Sequence, residues 1–210
     1  MIRVLIADDH AVVRHGLRQI LDETPDMRVA GEAATPVELL EKVRAKVGDV
    51  LVLDLSMPGR SGLDMLKNVK RERPLLPVLV LSMHPEDQYA GRVLKAGAAG
   101  YLPKETAADC LVKAIRKVSG GGRYISAEQA DKLVPWLDCA VDHPPHEQLS
   151  DREYEVLRAI ASGKTVSEIA RELHLSVKTV STYRMRLLEK MRMQTNAELT
   201  HYAIKNALVD

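Results

Sequence analysis

The chain has 210 residues, 46% hydrophobic and 28% charged, with a formal net charge of +1. Against about 150 residues per domain, that length fits one large and one small domain, and the composition excludes a disordered, collagen-like or membrane class. Phe is absent, and one Trp and six Tyr leave the core to Val, Leu, Ile, Ala and Met.

Short β-branched runs alternate with helical patterns over the first 120 residues, which predicts a parallel sheet with crossover helices. Strands are expected at 2–7, 27–32, 50–54, 77–81 and 99–102, and helices at 11–22, 36–46, 62–72, 86–96 and 106–118. VLVLD and PVLVLS are apolar throughout, as central parallel strands buried on both faces should be. Gly120, Gly121 and Gly122 end the last of these helices. The stretch that follows holds a possible helix (AEQADKLVPWLD) and then His143, Pro144 and Pro145, and it reads as a linker.

From 149 the pattern is purely helical. Ser150 with Glu153 forms a capping box, Gly163 is a helix stop, and Ser176 caps the third helix. The interval from Ile169 and Ala170 through His174 to Val177 reads as a short turn between amphipathic helices. The third helix, 177–191, puts Val180, Leu187, Leu188 and Met191 on one face, with Lys178, Ser181, Thr182 and Met185 on the other. A last helix is expected at 196–208, with Leu199, Tyr202, Ala203 and Leu208 apolar. The expected division is thus 1–123, a linker at 124–145, and 146–210.

The net charge hides an uneven distribution. Residues 1–123 carry 19 basic and 16 acidic side chains, 124–145 one and four, and 146–210 ten and nine. Within the last part, 174–193 hold Lys178, Arg184, Arg186, Lys190 and Arg192 against Glu189 alone. Cys110 and Cys139 make neither a metal-binding spacing nor a disulfide framework. The N-terminal apolar run is broken at once by Asp8 and Asp9, and no stretch approaches a membrane span. A cytoplasmic protein is expected, with no membrane partner.

The chemistry-bearing residues of the first part fall at strand ends: Asp8 and Asp9, Asp54, Ser82, and Lys104. In a doubly wound sheet of order 2-1-3-4-5, ligands sit at the carboxyl ends of the strands, between the first and third. Three carboxylates meeting there would raise each other's pKa unless a cation neutralises them, and an oxygen-only donor set suits Mg2+. A divalent ion, an attacking carboxylate, a hydroxyl and a lysine on one rim suit phosphoryl transfer.

IADDH, LDLSMPGRSGLDML, VLVLSMH and GAAGYLPKE resemble the four motifs of a response-regulator receiver domain, in order. LSDREYEVLRAIASGKTVSEIARELHLSVKTVSTYRMRLLEKM is similar to the LuxR-type helix-turn-helix. The chain is thereby identified as a two-component response regulator of the NarL/FixJ family. The resemblance implies a flavodoxin-like (βα)5 receiver followed by a four-helix, all-α DNA-binding domain. It further implies Asp54 as phosphoacceptor, Asp9 as the main Mg2+ carboxylate with Asp8 assisting, and the backbone carbonyl of Ser56 as a further ligand. Ser82 and Tyr101 would be the switch residues, and Lys104 the phosphate-binding cation. Ser181, Thr182 and Met185 fall where the family reads bases, and Lys178, Arg184, Arg186 and Lys190 are the phosphate candidates. The implied partners are a sensor histidine kinase, double-stranded promoter DNA and a second copy of the chain on phosphorylation. The expected role is thus a regulator rather than an enzyme.

Three positions depart from the commonest pattern: Ser82 is often Thr, Arg184 is more often apolar, and Glu105 rather than proline follows Lys104. Two rival readings are a hydrolase working through an aspartyl phosphate and a regulator whose receiver only dimerises. The first is disfavoured because Asp54 is followed by Leu55 and Ser56, without the second aspartate such enzymes usually carry.

Overall fold

The computed structural model describes residues 1–57, 62–83, 86–125 and 144–209. The chain divides into two compact units, Met1–Cys139 and Ala140–Asp210.

In the first unit the strands are β1 (Ile2–Ala7), β2 (Met27–Ala33), β3 (Val50–Asp54), β4 (Val78–Ser82) and β5 (Gly100–Pro103). They form one parallel sheet of order β2-β1-β3-β4-β5. The crossovers are α1 (Ala11–Asp22), α2 (Pro36–Arg44), α3 (Gly62–Glu72), α4 (Glu86–Lys95) and α5 (Ala107–Ser119). Every residue of β3 and β4 is buried, because helices cover both faces of the central strands. Alternate strand positions divide between those faces. Val4, Ile6, Val50, Val52, Leu79, Leu81 and Leu102 pack with Leu17 and Leu21 of α1 and with Leu111, Ile115 and Val118 of α5.

The element boundaries differ from expectation for local reasons. β4 starts at Val78 rather than 77, since Pro77 has no N–H to give, and Ser82 is drawn into the strand. α2 stops at Arg44 rather than 46 because Lys46 adopts a left-handed φ of 55°. Tyr124, the first residue of the stretch read as linker, still pairs beside β5, its N–H donating to the Ala99 carbonyl at 2.9 Å and its carbonyl accepting from Tyr101 N–H at 3.0 Å. The possible helix in the linker, together with Trp136 and Cys139, lies outside the described residues.

In the second unit, α6 (Asp151–Ala161), α7 (Val166–Glu172), α8 (Val177–Met191) and α9 (Asn196–Lys205) follow a 3-10 turn at Pro145–Gln148. Ser150 and Glu153 form the expected capping box on α6. Thr165 and Glu168 form a second one on α7, visible in the sequence as TVSE but not read there. Ser176 caps α8 by accepting from Thr179 N–H at 3.0 Å. The turn between α7 and α8 is shorter than expected. Ile169 and Ala170 lie inside α7, buried, so only Leu173–Ser176 turn, with His174 at a φ of 52°. α9 ends at Lys205 rather than 208, before the left-handed Ala207, while Leu208 remains buried beyond it. No helix among the described residues is long and apolar enough to cross a membrane.

The β5 edge depends on a missing side chain. A Cβ on Gly100 would lie 2.7 Å from the Tyr124 carbonyl oxygen and 3.0 Å from a Leu79 methyl. Gly100→Ala is therefore expected to destabilise the first unit by about 1–3 kcal/mol, read as a lower denaturation midpoint for that unit. An unchanged midpoint would mean that Tyr124 can move away at no cost.

Candidate functional site

Strand register brings the predicted residues of the first unit together. Ala7 pairs with Leu53, Asp54 with Leu81, and Ser82 with Pro103, so Asp8, Asp54, Ser82 and Lys104 emerge at one level on the carboxyl edge. Asp8 and Asp54 are each 1% exposed and Ser82 is fully buried. Lys104, in a 3-10 turn directly after β5, places Nζ 2.8 Å from Asp8 Oδ2 and 2.9 Å from Asp54 Oδ2. Ser56 N–H donates to Asp54 Oδ1 at 3.1 Å. Asp9 lies at the rim, its side chain 27% exposed.

Burial pushes the Asp54 carboxyl above the usual carboxylate range, and the Asp8 charge adds to this. Lys104 and the Ser56 N–H act in the opposite direction without cancelling it. For Lys104, burial works downward, but contact with the two carboxylates outweighs it and the net displacement is upward.

Three carboxylates and one ammonium leave this cluster with a formal charge of −2. Asp8 Oδ2, Asp9 Oδ1 and Asp54 Oδ2 are buried without a well-aligned hydrogen bond, Lys104 meeting two of them as an ion pair. One donor atom from each of Asp8, Asp9, His10 and Asp54 lies within 4.8 Å of the others. Orphaned hard oxygens around a charge deficit of two fit Mg2+. The IADDH pattern by itself gives His10 no role. Its Nδ1 is 3.0 Å from Asp9 Oδ1, while Arg14 donates to the Asp8 carbonyl at 2.7 Å.

Tyr101 is completely buried. Its neighbour Leu102 belongs to the α1 and α5 core, so strand alternation aims Tyr101 at the opposite face of the sheet. No peptide bond among the described residues is cis.

In the second unit, α8 divides as its periodicity predicts. Val180, Leu187 and Met191 are buried, and Leu188 is half-buried. Lys178, Ser181, Met185 and Arg186 are exposed and Thr182 half-buried. Lys178, Thr179, Thr182, Tyr183 and Arg186 line an open depression of about 270 Å3. The Ser181 and Thr182 hydroxyls donate to the Val177 and Lys178 carbonyls at 2.9 and 3.0 Å, which leaves their oxygen lone pairs outward. Two phosphate candidates have partners within their own unit. Arg184 folds over its own domain and donates to Asn196 Oδ1 at 2.6 Å, and Lys190 Nζ lies 2.7 Å from Glu153 Oε2. Glu153 is 3% exposed. Burial would raise its carboxyl, but Lys190 and the Ser150 donors outweigh burial and hold it low.

The raised Asp54 carboxyl has a consequence for stability. The folded chain holds that proton more tightly than the unfolded chain does, so stability falls as pH rises from the ordinary value of 3.8 through the folded value. Without divalent metal, Asp54→Asn should raise the melting temperature at neutral pH, by an increment that vanishes on acidification below 3.8. A lower melting temperature for Asp54→Asn at neutral pH would show that pairing with Lys104 outweighs the burial cost.

Residues 4–116 match the response regulator receiver domain family, and residues 147–203 match the bacterial regulatory proteins of the luxR family. Response regulator UvrY of Escherichia coli is 38% identical over 99% of this chain and 96% of that protein. Response regulator GacA of Pseudomonas aeruginosa is 36% identical over 100% and 99%. RcsB of Salmonella enterica serovar Typhimurium, solved bound to a promoter in the presence of the phosphomimetic BeF3−, superposes with a TM-score of 0.65 at 29% identity, covering 96% of this chain and 97% of that one. A structure of two RcsB dimers bound to two parallel DNAs gives 0.59 at 30% identity, with 96% of each chain covered. A receiver with its acidic pocket, followed in one chain by a LuxR-type helix-turn-helix, makes this protein a member of the two-component response regulators of the NarL/FixJ family.

Proposed function

We propose that the chain is a phosphorylation-controlled transcription regulator that takes a phosphoryl group from a sensor histidine kinase onto Asp54 and binds promoter DNA as a dimer. The observation that carries this reading is Asp54 itself, buried at the end of β3 with Lys104 Nζ at 2.9 Å and Asp8 sharing the same ammonium.

An Asp54 carboxylate oxygen is the nucleophile, and the histidine of the kinase is the leaving group. The Asp54 oxygen–phosphorus bond forms as the phosphorus–nitrogen bond breaks. Lys104 turns from a carboxylate partner into a partner of the new phosphoryl oxygens. Asp9 and Asp54, with the Ser56 carbonyl and with Asp8 assisting, would hold a Mg2+ ion, whose chemistry there would be to neutralise the phosphoryl charge. Ser82, at the end of the adjacent strand, offers its hydroxyl to a phosphoryl oxygen. Ser82 and Tyr101 together bias the β4 and β5 end of the sheet between two packings. The reaction modifies the chain itself and turns over no external substrate other than the phosphodonor.

Dimerisation then pairs two helix-turn-helix units, as in the RcsB dimers on DNA, and a two-fold pair reads half-sites about one helical turn apart. On α8, Ser181, Thr182 and Met185 face base edges, while Lys178 and Arg186 neutralise phosphates. Arg184 and Lys190 orient the helix through Asn196 and Glu153. Residues 1–123 would serve as receiver, 124–145 as linker and 146–210 as DNA reader, in a cytoplasmic protein.

Incubation with labelled acetyl phosphate and Mg2+ should give an acid-labile label that Asp54→Ala abolishes. Label persisting in that variant would remove Asp54 as acceptor. On duplex DNA, Lys178→Ala should flatten the slope of log affinity against log salt by about one unit, whereas Lys190→Ala should leave it unchanged. A reversed pattern would return Lys190 to the contact surface.

A further inference from the structure

We propose that His10 is a metal ligand of the receiver, its imidazole Nδ1 joining the carboxylates of Asp9 and Asp8 and biasing the site toward a first-row transition ion such as Mn2+ over Mg2+. The inference rests on the carboxylate cluster being the cation site of the phosphoacceptor pocket.

His10 occupies the N-cap position of α1, where a side chain ordinarily accepts from the first N–H groups of the helix. The imidazole makes no such bond. The His10 backbone N–H instead donates to Asp8 Oδ1 at 2.8 Å, and this local turn carries the side chain back over the pocket. There Nδ1 stands 3.0 Å from Asp9 Oδ1 and 3.3 Å from Asp8 Oδ1.

Lys104 does not compete for this position. Its Nζ engages the Oδ2 atoms of Asp8 and Asp54, whereas His10 faces the Oδ1 atoms of Asp8 and Asp9, one of them a buried oxygen without a hydrogen bond. The spacing suits coordination. Ligands on opposite sides of an ion with bonds of about 2.1 Å are about 4.2 Å apart, so donor atoms within 4.8 Å of one another close on an ion by shifts of a few tenths of an ångström.

The donor set then decides the preference. Carboxylates alone suit Mg2+, which keeps oxygen and water ligands, while imidazole nitrogen adds affinity for transition ions and little for Mg2+. His10 is 61% exposed, so water reaches the remaining coordination positions.

The test uses the full chain with one equivalent of Mn2+ and pulsed electron paramagnetic resonance. The wild type should show nitrogen modulation from one imidazole, lost in His10→Ala and in His10→Asn, the latter retaining a polar residue at the helix cap. Competition with Mg2+ should show the Mn2+ preference falling about tenfold in both variants, with Mg2+ affinity nearly unchanged. Stoichiometric Mn2+ without nitrogen coupling, or a preference indifferent to His10, would overturn the ligand role and leave the carboxylate site standing. Failure of Mn2+ to bind, or binding untouched by Asp9→Asn and Asp54→Asn, would overturn the cation site and the ligand role together.

Discussion

A buried ammonium 2.8 Å from one buried carboxylate and 2.9 Å from another ties the ends of β1, β3 and β5 together. Burying any of these charges alone would cost several kcal/mol, so each is tolerated only because the others are there. The strand order makes the contact possible. β1 lies beside β3, which puts Asp8 next to Asp54, and only β4 separates β3 from β5. Lys104 reaches across the end of β4, where the residue is the small, buried Ser82.

The same arrangement explains why the pocket is responsive. Its carboxylates outnumber its ammonium, Asp54 carries a raised pKa, and three oxygens lack aligned hydrogen bonds. Such a cluster gains from any added positive charge, and the phosphoryl group proposed for Asp54 would engage Lys104 and Ser82 at once. The second unit follows the opposite rule. Its buried charge is satisfied: Glu153 accepts from Ser150 N–H at 2.8 Å while closing the cap of α6, and it pairs with Lys190 of α8. Arg184 likewise joins α8 to the start of α9 through Asn196. These links tie α8 to its neighbours, and its outer face presents Lys178, Ser181, Met185 and Arg186.

Much of the site is legible in the sequence. Asp8, Asp9, Asp54, Ser82 and Lys104 stand at the ends of apolar runs, and in a parallel sheet such positions converge whatever the loops do. The periodicity of 177–191 separated buried Val180, Leu187 and Met191 from the outward residues in the same way. His10 was in view within IADDH, yet a histidine at a helix start carries no signal of which way its ring turns. The exact ends of α2 and α9 were illegible because left-handed Lys46 and Ala207 are not glycines. The start of the α7 to α8 turn was illegible for the same reason, since the left-handed residue after α7 is His174.

The sequence by itself determined the order of elements, the all-parallel sheet, the acidic pocket at its carboxyl edge and the basic outer face of α8. Each of these follows from hydrophobic period, caps and strand ends, which are local properties of the chain. The average charge of +1 was no guide, since it summed unlike segments. Only the tertiary structure decided which charges are spoken for. Lys178 and Lys190 read alike in the sequence, both basic residues on one helix. Both are exposed, but Lys190 pairs with Glu153, 37 residues away in the chain, while Lys178 lies on the outer face with Ser181 and Met185. Long-range pairing of charges depends on which helices are packed side by side, and no local pattern encodes that.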